Sequence, residues 1–449
     1  INLIPHPVIS GFMSGIGVII ILLQLGPLFG HTAQPGPLAS INAIPDMLAA
    51  PVTSALMMGG LALLIVYFLP KSINRILPSP LLALIIGTLV LFFWQGGEIT
   101  NTMVDGKTLY MMGDVSVLGN IPTGIPSPSW PVFELELLVE MTKSALILAA
   151  LGSIDSLLTS LVADNVTHTY HRSNRELIGQ GIGNTVAGLF GGLPGAGATM
   201  RTVVNVRAGG LTPISGALHA LVLLAIVLGA GGFTSYIPHA LLAGILVKVG
   251  TDIIDWGYLK RLKHAPKAGV AIMLVVLLCT VFVDLVTAVA IGMIMASFLF
   301  MQRMVDLQIS SISTLTEPHE ESNLSEEESA ILAEAKGRIL LFQITGPMSF
   351  GAAKGTARRL AKFDAYDALI IDLSEVPQID YSSTRAIDDM LHSACDSGRD
   401  AFIVGCQQQV CNMLQKQGIT QRRNQDELKQ SRLAAMKKAL AHIKERQSA

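Results

Sequence analysis

Long apolar stretches without a charged residue are the feature of this sequence that most limits what it can fold into. A helix needs about 20 mostly apolar residues to cross the hydrocarbon core of a bilayer. Uncharged windows that approach or exceed this length occupy residues 7–30, 47–70, 76–97, 177–200, 208–247, 268–283 and 285–302. The window 208–247 is long enough for two spans, with a break between Gly229 and Pro238. Residues 1–304 therefore predict an α-helical membrane domain of about ten segments.

Charged residues are concentrated in the last third of the chain. The 449 residues have a mean hydropathy of +0.53 and only 14% charged residues, against about 25% in an average soluble domain. Residues 305–336 form an acidic segment, which we interpret as a linker. In residues 337–449 the pattern predicts strands at 338–344, 368–373 and 401–404 and helices at 352–362 and 383–397. This alternation predicts a small α/β domain in water.

Basic residues predict on which side of the membrane each connection lies. If the α/β domain is cytoplasmic, the connections that also face the cytoplasm contain Lys71 and Arg75, Arg172 and Arg175, Arg207, and Lys260 to Lys267. The acidic segment 98–143 then lies outside, so every connection agrees with the positive-inside rule. We expect a multi-pass protein of the cell membrane with a cytoplasmic C-terminal domain.

Several classes of protein are excluded by composition and motifs. A net charge of −2 without a block of Lys and Arg argues against a nucleic-acid partner. The sequence contains no nucleophile elbow, P-loop or zinc signature, and its four cysteines lack CxxC spacing. We therefore expect neither an enzyme nor a cofactor. Because residue 1 is Ile and an apolar window follows at once, we also expect further sequence upstream.

A glycine-rich run interrupts one apolar window and is the first candidate site. Residues 191–199 contain four glycines, counting Gly191, and one proline, so a continuous helix is not expected there. Extended backbone at membrane depth is tolerated where it lines a polar cavity. Thr199 to Arg207 then suits a half-helix whose positive N-terminal end, with Arg201 in its first turn, attracts an anion. The alternative for Arg201 is a snorkelling side chain or an ion pair with Asp155.

Asp155 is the one acidic residue within the apolar window 144–163. An ionisable residue inside a span is a functional candidate by default. Thr159 follows four residues later on the same helical face, so the pair can coordinate a cation or hold a proton. Ser156 and Ser160 are weaker candidates, because hydroxyls in spans often bond only to the carbonyl four residues earlier.

These stretches resemble the sulfate permease (SulP) family of inorganic anion transporters, which carry a C-terminal STAS domain. Ile4 to Phe12 resembles the entry to one of the family's spans, and residues 338–419 resemble its STAS domain. Asp155 with Thr159, and Gly197-Ala198-Thr199, resemble the ion and anion sites of the family's sodium-coupled bicarbonate transporters.

The resemblance implies a fold of two inverted seven-segment repeats, a core domain that moves against a gate domain, and a homodimer. It implies secondary active transport of sulfate, bicarbonate or chloride, by symport or antiport, with Asp155, Thr159, Gly197, Ala198, Thr199 and Arg201 at the site. Sodium is the coupling ion it implies, held by Asp155, Thr159 and Thr199. It also implies that about four segments, one with a half-helix facing this one, precede Ile1.

One departure from the family's pattern and three alternatives accompany the resemblance. Arg201 stands where the sodium-coupled members have a small residue and many sulfate and chloride exchangers have arginine. Asp380, Ser382 and Ser383 form a loop in the STAS-like domain, which we interpret as an N-cap, with a regulatory phosphorylation or docking site as the alternative. For the whole chain, the alternatives are a nucleobase permease of the same fold and a membrane-anchored STAS signalling protein without transport.

Overall fold

The protein divides into two compact units, residues 1–296 and residues 297–449. A computed structural model describes residues 5–448 except 75–76, 105–106, 120–123, 125–126, 129, 131–133, 320–323, 350, 352–354, 356–357, 361–362, 364 and 420–429. Each unit has its own packing and is described by itself.

The first unit is helical, as its apolar windows predict. Its helices are α1 His6–Leu28, α2 Pro37–Asn42, α3 Ile44–Ala49, α4 Thr53–Phe68, α5 Lys71–Asn74, α6 Ser79–Gln95, α7 Leu138–Thr167, α8 Ser173–Leu189, α9 Thr199–Arg207, α10 Pro213–Leu228, α11 His239–Ile253, α12 Trp256–Lys260 and α13 Lys267–Phe282, and α14 Leu285–Ser310 continues into the second unit. Among the described residues, α1, α7 with its 3₁₀ lead-in, and α14 are each long and apolar enough to span a membrane. Helices α4, α6, α10 and α13 are shorter and apolar. The expected break after Gly229 is confirmed, because a 3₁₀ turn separates α10 from α11.

Helix α1 packs against α11 and α13 through small residues. A Cβ atom added to Gly17 would lie 2.5 Å from the carbonyl oxygen of Gly250 on α11. Glycine is therefore required where the two backbones meet. On the other side of α1, Val8 is buried and packs against Gly292 of α14.

A small antiparallel sheet, absent from our sequence-based expectation, lies in the acidic segment between α6 and α7. It consists of β1 Thr100–Val104, β2 Lys107–Met112 and β3 Val115–Val117. Its buried side chains Met112, Val115 and Val117 join a cluster with residues of α4 and α6. The strands have three to six residues, too short for alternation to stand out among the polar residues around them.

The second unit is the expected α/β domain. Its elements are β4 Ile312–Leu315, α15 Glu326–Glu334, β5 Ile339–Thr345, β6 Ala368–Glu375, α16 Tyr381–Asp396, β7 Asp400–Val404, α17 Gln408–Lys416 and α18 Arg432–Ser448. The sheet order is β4-β5-β6-β7, with β4 antiparallel to β5 and the other pairs parallel. The three predicted strands and the helix at 383–397 agree with this structure, whereas most of the predicted helix 352–362 lies outside the described residues.

Each face of this sheet is covered by helices. Leu340 and Phe342 pack in a cluster with α16 and α17, and their neighbours Ile339 and Leu341 pack in a second cluster with α15 and α18. Alternate residues of β5 are therefore buried on both sides, which explains its continuous apolar run. Both clusters draw only on residues between Ile312 and Ile443.

The segment 305–336, which we interpreted as a linker, contains regular structure. Helix α14 runs to Ser310, and after Ser311 alone the chain enters β4. Ser311 Oγ donates to the Thr345 carbonyl (2.9 Å), and Arg359 donates to the Ile309 carbonyl at the end of α14 (2.9 Å). Three glutamates of this segment, Glu326 to Glu328, form the first turn of α15, where acidic residues are favoured by the positive end of a helix.

A buried ion cluster joins both ends of the second unit. Ser325 and Glu328 form a capping box at α15, and Glu328 is 6% exposed. Arg432 of α18 donates to both Glu328 oxygens at 2.9 and 2.8 Å and to Asp372 of β6 at 3.1 Å. Bidentate arginine pairing of this kind is geometrically specific, so it fixes α15 and α18 on the same face of the sheet.

The loop before α16 has the structure that we expected. Asp380 is the N-cap, and its side chain accepts a hydrogen bond from the Ser383 N–H at 2.8 Å. Ser383 is fully buried, whereas Ser382 is exposed. A modifying enzyme could thus reach the Ser382 hydroxyl but not that of Ser383.

Candidate functional site

Helix α8 ends where the glycine-rich run begins. Gly191 has a φ of +71°, a conformation that favours glycine, and the Gly192 N–H donates to the Ala187 carbonyl at 2.8 Å. Residues 192–198 then have no regular secondary structure, and α9 begins at Thr199 with Ala198 as its N-cap residue. The predicted interruption and the predicted half-helix Thr199–Arg207 are both confirmed.

Two amide side chains of α8 hold the extended segment. Gln180 Nε2 and Asn184 Nδ2 donate to the Gly195 carbonyl at 2.7 and 3.0 Å. Asn184 Oδ1 accepts from the Gly195 N–H at 2.9 Å. The N–H and carbonyl of Gly195, which have no helical partner, are thus satisfied by two side chains one turn apart on α8.

Helix α7 contacts the other side of the segment. Ser156 Oγ accepts from the Gly197 N–H at 3.1 Å, and the hydroxyls of Thr159 and Thr199 lie 3.0 Å apart. A Cβ atom at Gly197 would lie 3.0 Å from Ser156 Cα and 3.1 Å from Thr159 Cβ. Glycine at this position therefore allows the start of α9 to approach α7 closely enough for the threonine pair to form.

Asp155 and Arg201 lie on the two helices that form this contact, α7 and α9. Asp155 is half-buried on α7, one residue before Ser156 and one helical turn before Thr159. Arg201 is exposed in the first turn of α9. Both residues are described, and neither side chain makes an ion pair or hydrogen bond with another described residue. The alternative in which Arg201 pairs with Asp155 is not found in this structure.

This arrangement offers complementary chemistry to an anion and a cation. The first N–H groups of α9 lack carbonyl partners, and Ala198 has no side chain to cap them. With the helix dipole and Arg201, they form a positive end suited to an anion. The Asp155 carboxylate and the Thr159 and Thr199 hydroxyls provide oxygen atoms, the ligands that hard cations prefer.

The structure adds Gln180 and Asn184 to the residues predicted from sequence, and it shows Ser156, a weaker candidate there, in contact with the extended segment. Ser156 was expected to bond back along its own helix, as Ser160 does to the Ser156 carbonyl at 2.9 Å, but its hydroxyl binds Gly197 instead. Gln180 and Asn184 were not selected at all. Two amides four residues apart in an apolar helix are a recognisable signal for a polar partner inside the membrane.

Gly179 and Gly183 of α8 have the four-residue spacing that favours close packing of two helices. No described atom of another element lies within 4 Å of the Cβ position of either glycine. Close packing through these glycines is therefore not found among the described residues. The residues that follow them, Gln180 and Asn184, contact Gly195.

His168 and His171 follow α7 with the HxxH spacing that also occurs in metal sites. His171 Nδ1 lies 2.6 Å from Asp164 Oδ2, and its Nε2 lies 3.0 Å from Ser173 Oγ. The described part of the chain contains no group of three His, Cys, Asp or Glu residues able to hold a metal. His171 thus stabilises the turn between α7 and α8.

Comparisons with known proteins follow the same division of the chain. The profile of the sulfate permease family matches residues 1–276, and that of the STAS domain matches residues 330–425. The chain is 42% identical over 421 residues to the bicarbonate transporter BicA of Synechocystis sp., covering 93% of this chain and 71% of that protein.

Solved structures show the fold of the membrane part and of the whole. The transmembrane domain of a cyanobacterial bicarbonate transporter, BicA, matches 64% of this chain and 69% of its own, at 42% identity and a TM-score of 0.54. The murine anion transporter Slc26a9 in its inward-facing state matches 97% of this chain and 71% of its own, at 18% identity and a TM-score of 0.75. The predicted fold class, a helical transporter domain followed by a STAS domain, is confirmed.

Proposed function

Since this chain belongs to the sulfate permease family, we propose that it moves a small inorganic anion across a membrane by secondary active transport. The observation that supports this most directly is the uncapped start of α9, held beside Thr159 of α7 by the Thr159–Thr199 contact. A half-helix that presents its positive end within a membrane domain is how discontinuous-helix transporters bind anionic groups.

We assign the anion to the start of α9. The backbone of Gly197, Ala198 and Thr199 lies there, and Arg201 adds a full positive charge within the first turn. An anion bound there exchanges hydrogen bonds with water for those with backbone N–H groups that are already oriented, so little reorganisation is needed. Alternating access then requires the α7–α9 contact to be exposed to each side in turn.

Bicarbonate is the substrate that we favour, with sulfate as the second candidate. The support for bicarbonate is the 42% identity to the Synechocystis bicarbonate transporter over 93% of this chain. The family profile, which is that of sulfate permeases, keeps sulfate open. Both anions match the chemistry of helix N–H groups together with an arginine.

We propose sodium as the coupling ion, held by Asp155, Thr159 and Thr199. The support is the pairing of two hydroxyls at 3.0 Å one turn from a carboxylate. Arg201 provides the competing possibility, because a fixed positive charge can replace the coupling cation electrostatically. Thr159→Val keeps the shape of the side chain and removes the hydroxyl, whereas Ser160→Ala removes a hydroxyl that bonds only to its own helix.

The decisive experiment is uptake of labelled bicarbonate and sulfate into proteoliposomes, with and without an inward sodium gradient. We expect saturable bicarbonate uptake, stimulated by sodium in the wild type and in Ser160→Ala but not in Thr159→Val. Uptake of neither anion by correctly inserted protein would refute the transport proposal. Bicarbonate uptake that does not depend on the sodium gradient would refute sodium coupling. Arg201 would then be the positive charge that replaces the coupling cation.

Single substitutions test the roles of Arg201 and Asp155 in transport separately. Arg201→Ala and Asp155→Asn are expected to abolish uptake while the protein still inserts. Arg175→Ala, which removes an exposed arginine at the start of α8, is the matched control and should transport normally. Normal transport in both Arg201→Ala and Asp155→Asn would contradict the assigned site.

We also propose a homodimer in the cell membrane with the STAS domain in the cytoplasm. Family membership supports the dimer, and the basic connections on one side of the membrane part support the orientation. Cross-linking in membranes and protease protection of the C-terminal domain test the two statements separately.

A further inference from the structure

The connection between α11 and α13, residues 255–267, combines fixed geometry with unbalanced charge. We call it the basic connection. Its cations Lys260, Arg261, Lys263 and Lys267 are exposed, and none pairs with an acidic side chain in the part of the chain that the structure describes. Four positive charges within eight residues therefore face solvent or a partner.

The acidic residues nearby are already engaged. Asp252 pairs with Lys248 one turn earlier on α11. Asp255 caps α12, because its side chain accepts from the Tyr258 N–H at 2.9 Å. Within the described residues no acidic side chain pairs with the basic connection, which is therefore suited to a negatively charged partner.

The basic connection is anchored to the membrane helices. The Asp255 N–H donates to Ser14 Oγ of α1 at 3.2 Å, and Tyr258 stacks on His6 with ring centroids 5.7 Å apart. Its cations are thus held at the start of α1 and between two apolar helices. This places them beside a bilayer surface without any contribution from the second unit.

An aromatic side chain accompanies the charges. Trp256 is 51% exposed, and its Nε1 donates to the Thr251 carbonyl at 2.7 Å, so the indole is held while one side of it remains uncovered. Tryptophan is enriched where membrane meets water, because its ring is apolar and its N–H is polar. Basic side chains next to a membrane helix are attracted to anionic lipid headgroups.

We propose that the basic connection binds the phosphate groups of anionic phospholipids in the adjacent leaflet. The lysines and Arg261 neutralise the headgroup phosphates, and Trp256 lies at the level of the headgroups. A cation near an anionic bilayer surface contributes roughly fivefold in affinity. Loss of all four cations is therefore expected to weaken binding at least tenfold.

The test measures lipid binding to the full chain in detergent by native mass spectrometry. Phosphatidylglycerol is the anionic lipid, phosphatidylcholine the zwitterionic one, and inorganic phosphate the free anion. We expect wild-type protein to retain phosphatidylglycerol in preference to phosphatidylcholine, with millimolar phosphate unable to displace it. Displacement by phosphate would overturn the proposal in favour of a free-anion site.

Three variants locate the binding. Neutralising the basic connection (Lys260→Gln, Arg261→Gln, Lys263→Gln and Lys267→Gln together) should reduce the preference for phosphatidylglycerol at least tenfold. Replacing its three lysines by arginine should preserve it, which excludes a folding defect as the cause. Arg172→Gln with Arg175→Gln neutralises another exposed basic connection and should have little effect. An equal loss in that control, or no loss in the fourfold variant, would overturn the proposal.

Discussion

Gly197 lies just before α9, where the chain passes close to α7. A methyl group there would meet Ser156 Cα at 3.0 Å and Thr159 Cβ at 3.1 Å, and the first of these atoms is backbone. Neither can move aside without displacing α7, so the start of α9 has to shift. Overpacking of this kind typically costs about 1–3 kcal/mol.

We therefore predict that Gly197→Ala lowers anion uptake by roughly tenfold or more, because about 1.4 kcal/mol corresponds to each factor of ten. Gly60→Ala is the matched control, since nothing lies within 4 Å of its Cβ position in α4. Uptake is measured in proteoliposomes at equal protein content. Equal activity of the two variants would show that the α7–α9 spacing does not determine transport.

At the scale of elements, the shape of the interruption depends on α8 as much as on α7. Gln180 and Asn184 make three hydrogen bonds with the peptide groups of Gly195. Removing both partners takes these hydrogen bonds away from the Gly195 carbonyl and N–H, and each is typically worth about 0.5–1.5 kcal/mol. The extended segment would then lose its fixed position relative to α9.

The double substitution Gln180→Leu and Asn184→Leu is predicted to weaken substrate binding, seen as a raised KM for uptake. Thr185→Val is the control, because among the described residues the Thr185 hydroxyl bonds only to the Gly181 carbonyl of its own helix. A control variant as defective as the double variant would indicate general disruption of α8. An unchanged KM in the double variant would remove these amides from the site.

The sequence patterns predicted the positions of helices and strands better than they predicted the contacts between those elements. The four glycines and the proline between Gly191 and Gly197 indicated where α8 stops. The half-helix Thr199 to Arg207 was recognised because it follows this glycine-rich run. Ser156 was misjudged because a hydroxyl has equally good local and long-range partners, and sequence does not show which one is near. The strands β1 to β3 were missed because their burial depends on α4 and α6, which are distant in the chain.

The ion cluster of the second unit makes its stability dependent on pH. Hydrogen bonds from Arg432, and to a smaller extent from the Ser325 backbone, lower the pKa of Glu328 although burial opposes them. A carboxyl group with a lowered pKa stabilises the folded state above its unfolded pKa of about 4.3. That stabilisation is lost as the pH falls through the folded-state value.

We predict that Glu328→Gln lowers the free energy of unfolding by about 2 kcal/mol at pH 7, and that its difference from wild type shrinks below about pH 4. Urea unfolding of residues 311–449, which contain both hydrophobic clusters of this unit, provides the measurement. Lys437→Gln removes an exposed pair with Glu327 and should change stability by less than about 1 kcal/mol. A difference that persists unchanged to pH 3 would contradict the role of the Glu328 charge.

At the scale of the whole molecule, a single residue connects the long apolar helix α14 to the sheet of the second unit. Ser311 alone separates α14 from β4, and Ile312, the first residue of β4, is 2% exposed. Side chains advance by about 100° per residue in a helix and alternate sides in a strand. One inserted residue would therefore reverse the face of every β4 side chain.

We predict that one alanine inserted after Ser311 abolishes the protection of the β4–β5 hydrogen bonds, whereas two inserted alanines restore much of it. Hydrogen–deuterium exchange of residues 312–315 and 341–344 is the measurement, because these residues form the pairing. The two-residue insertion is the matched control for added length. Equal loss in both variants would show that length, and not strand phase, is what matters.

A joint this short is torsionally stiff. The hydrogen bonds from Ser311 to Thr345 and from Arg359 to Ile309 add resistance to twisting on either side of it. A rotation of the last turns of α14 about their own axis cannot be absorbed by slack chain, and it reaches the edge strand as torque. The same stiffness transmits rotation from the sheet to the helix, so a molecule that binds the sheet and rotates it can twist the end of α14.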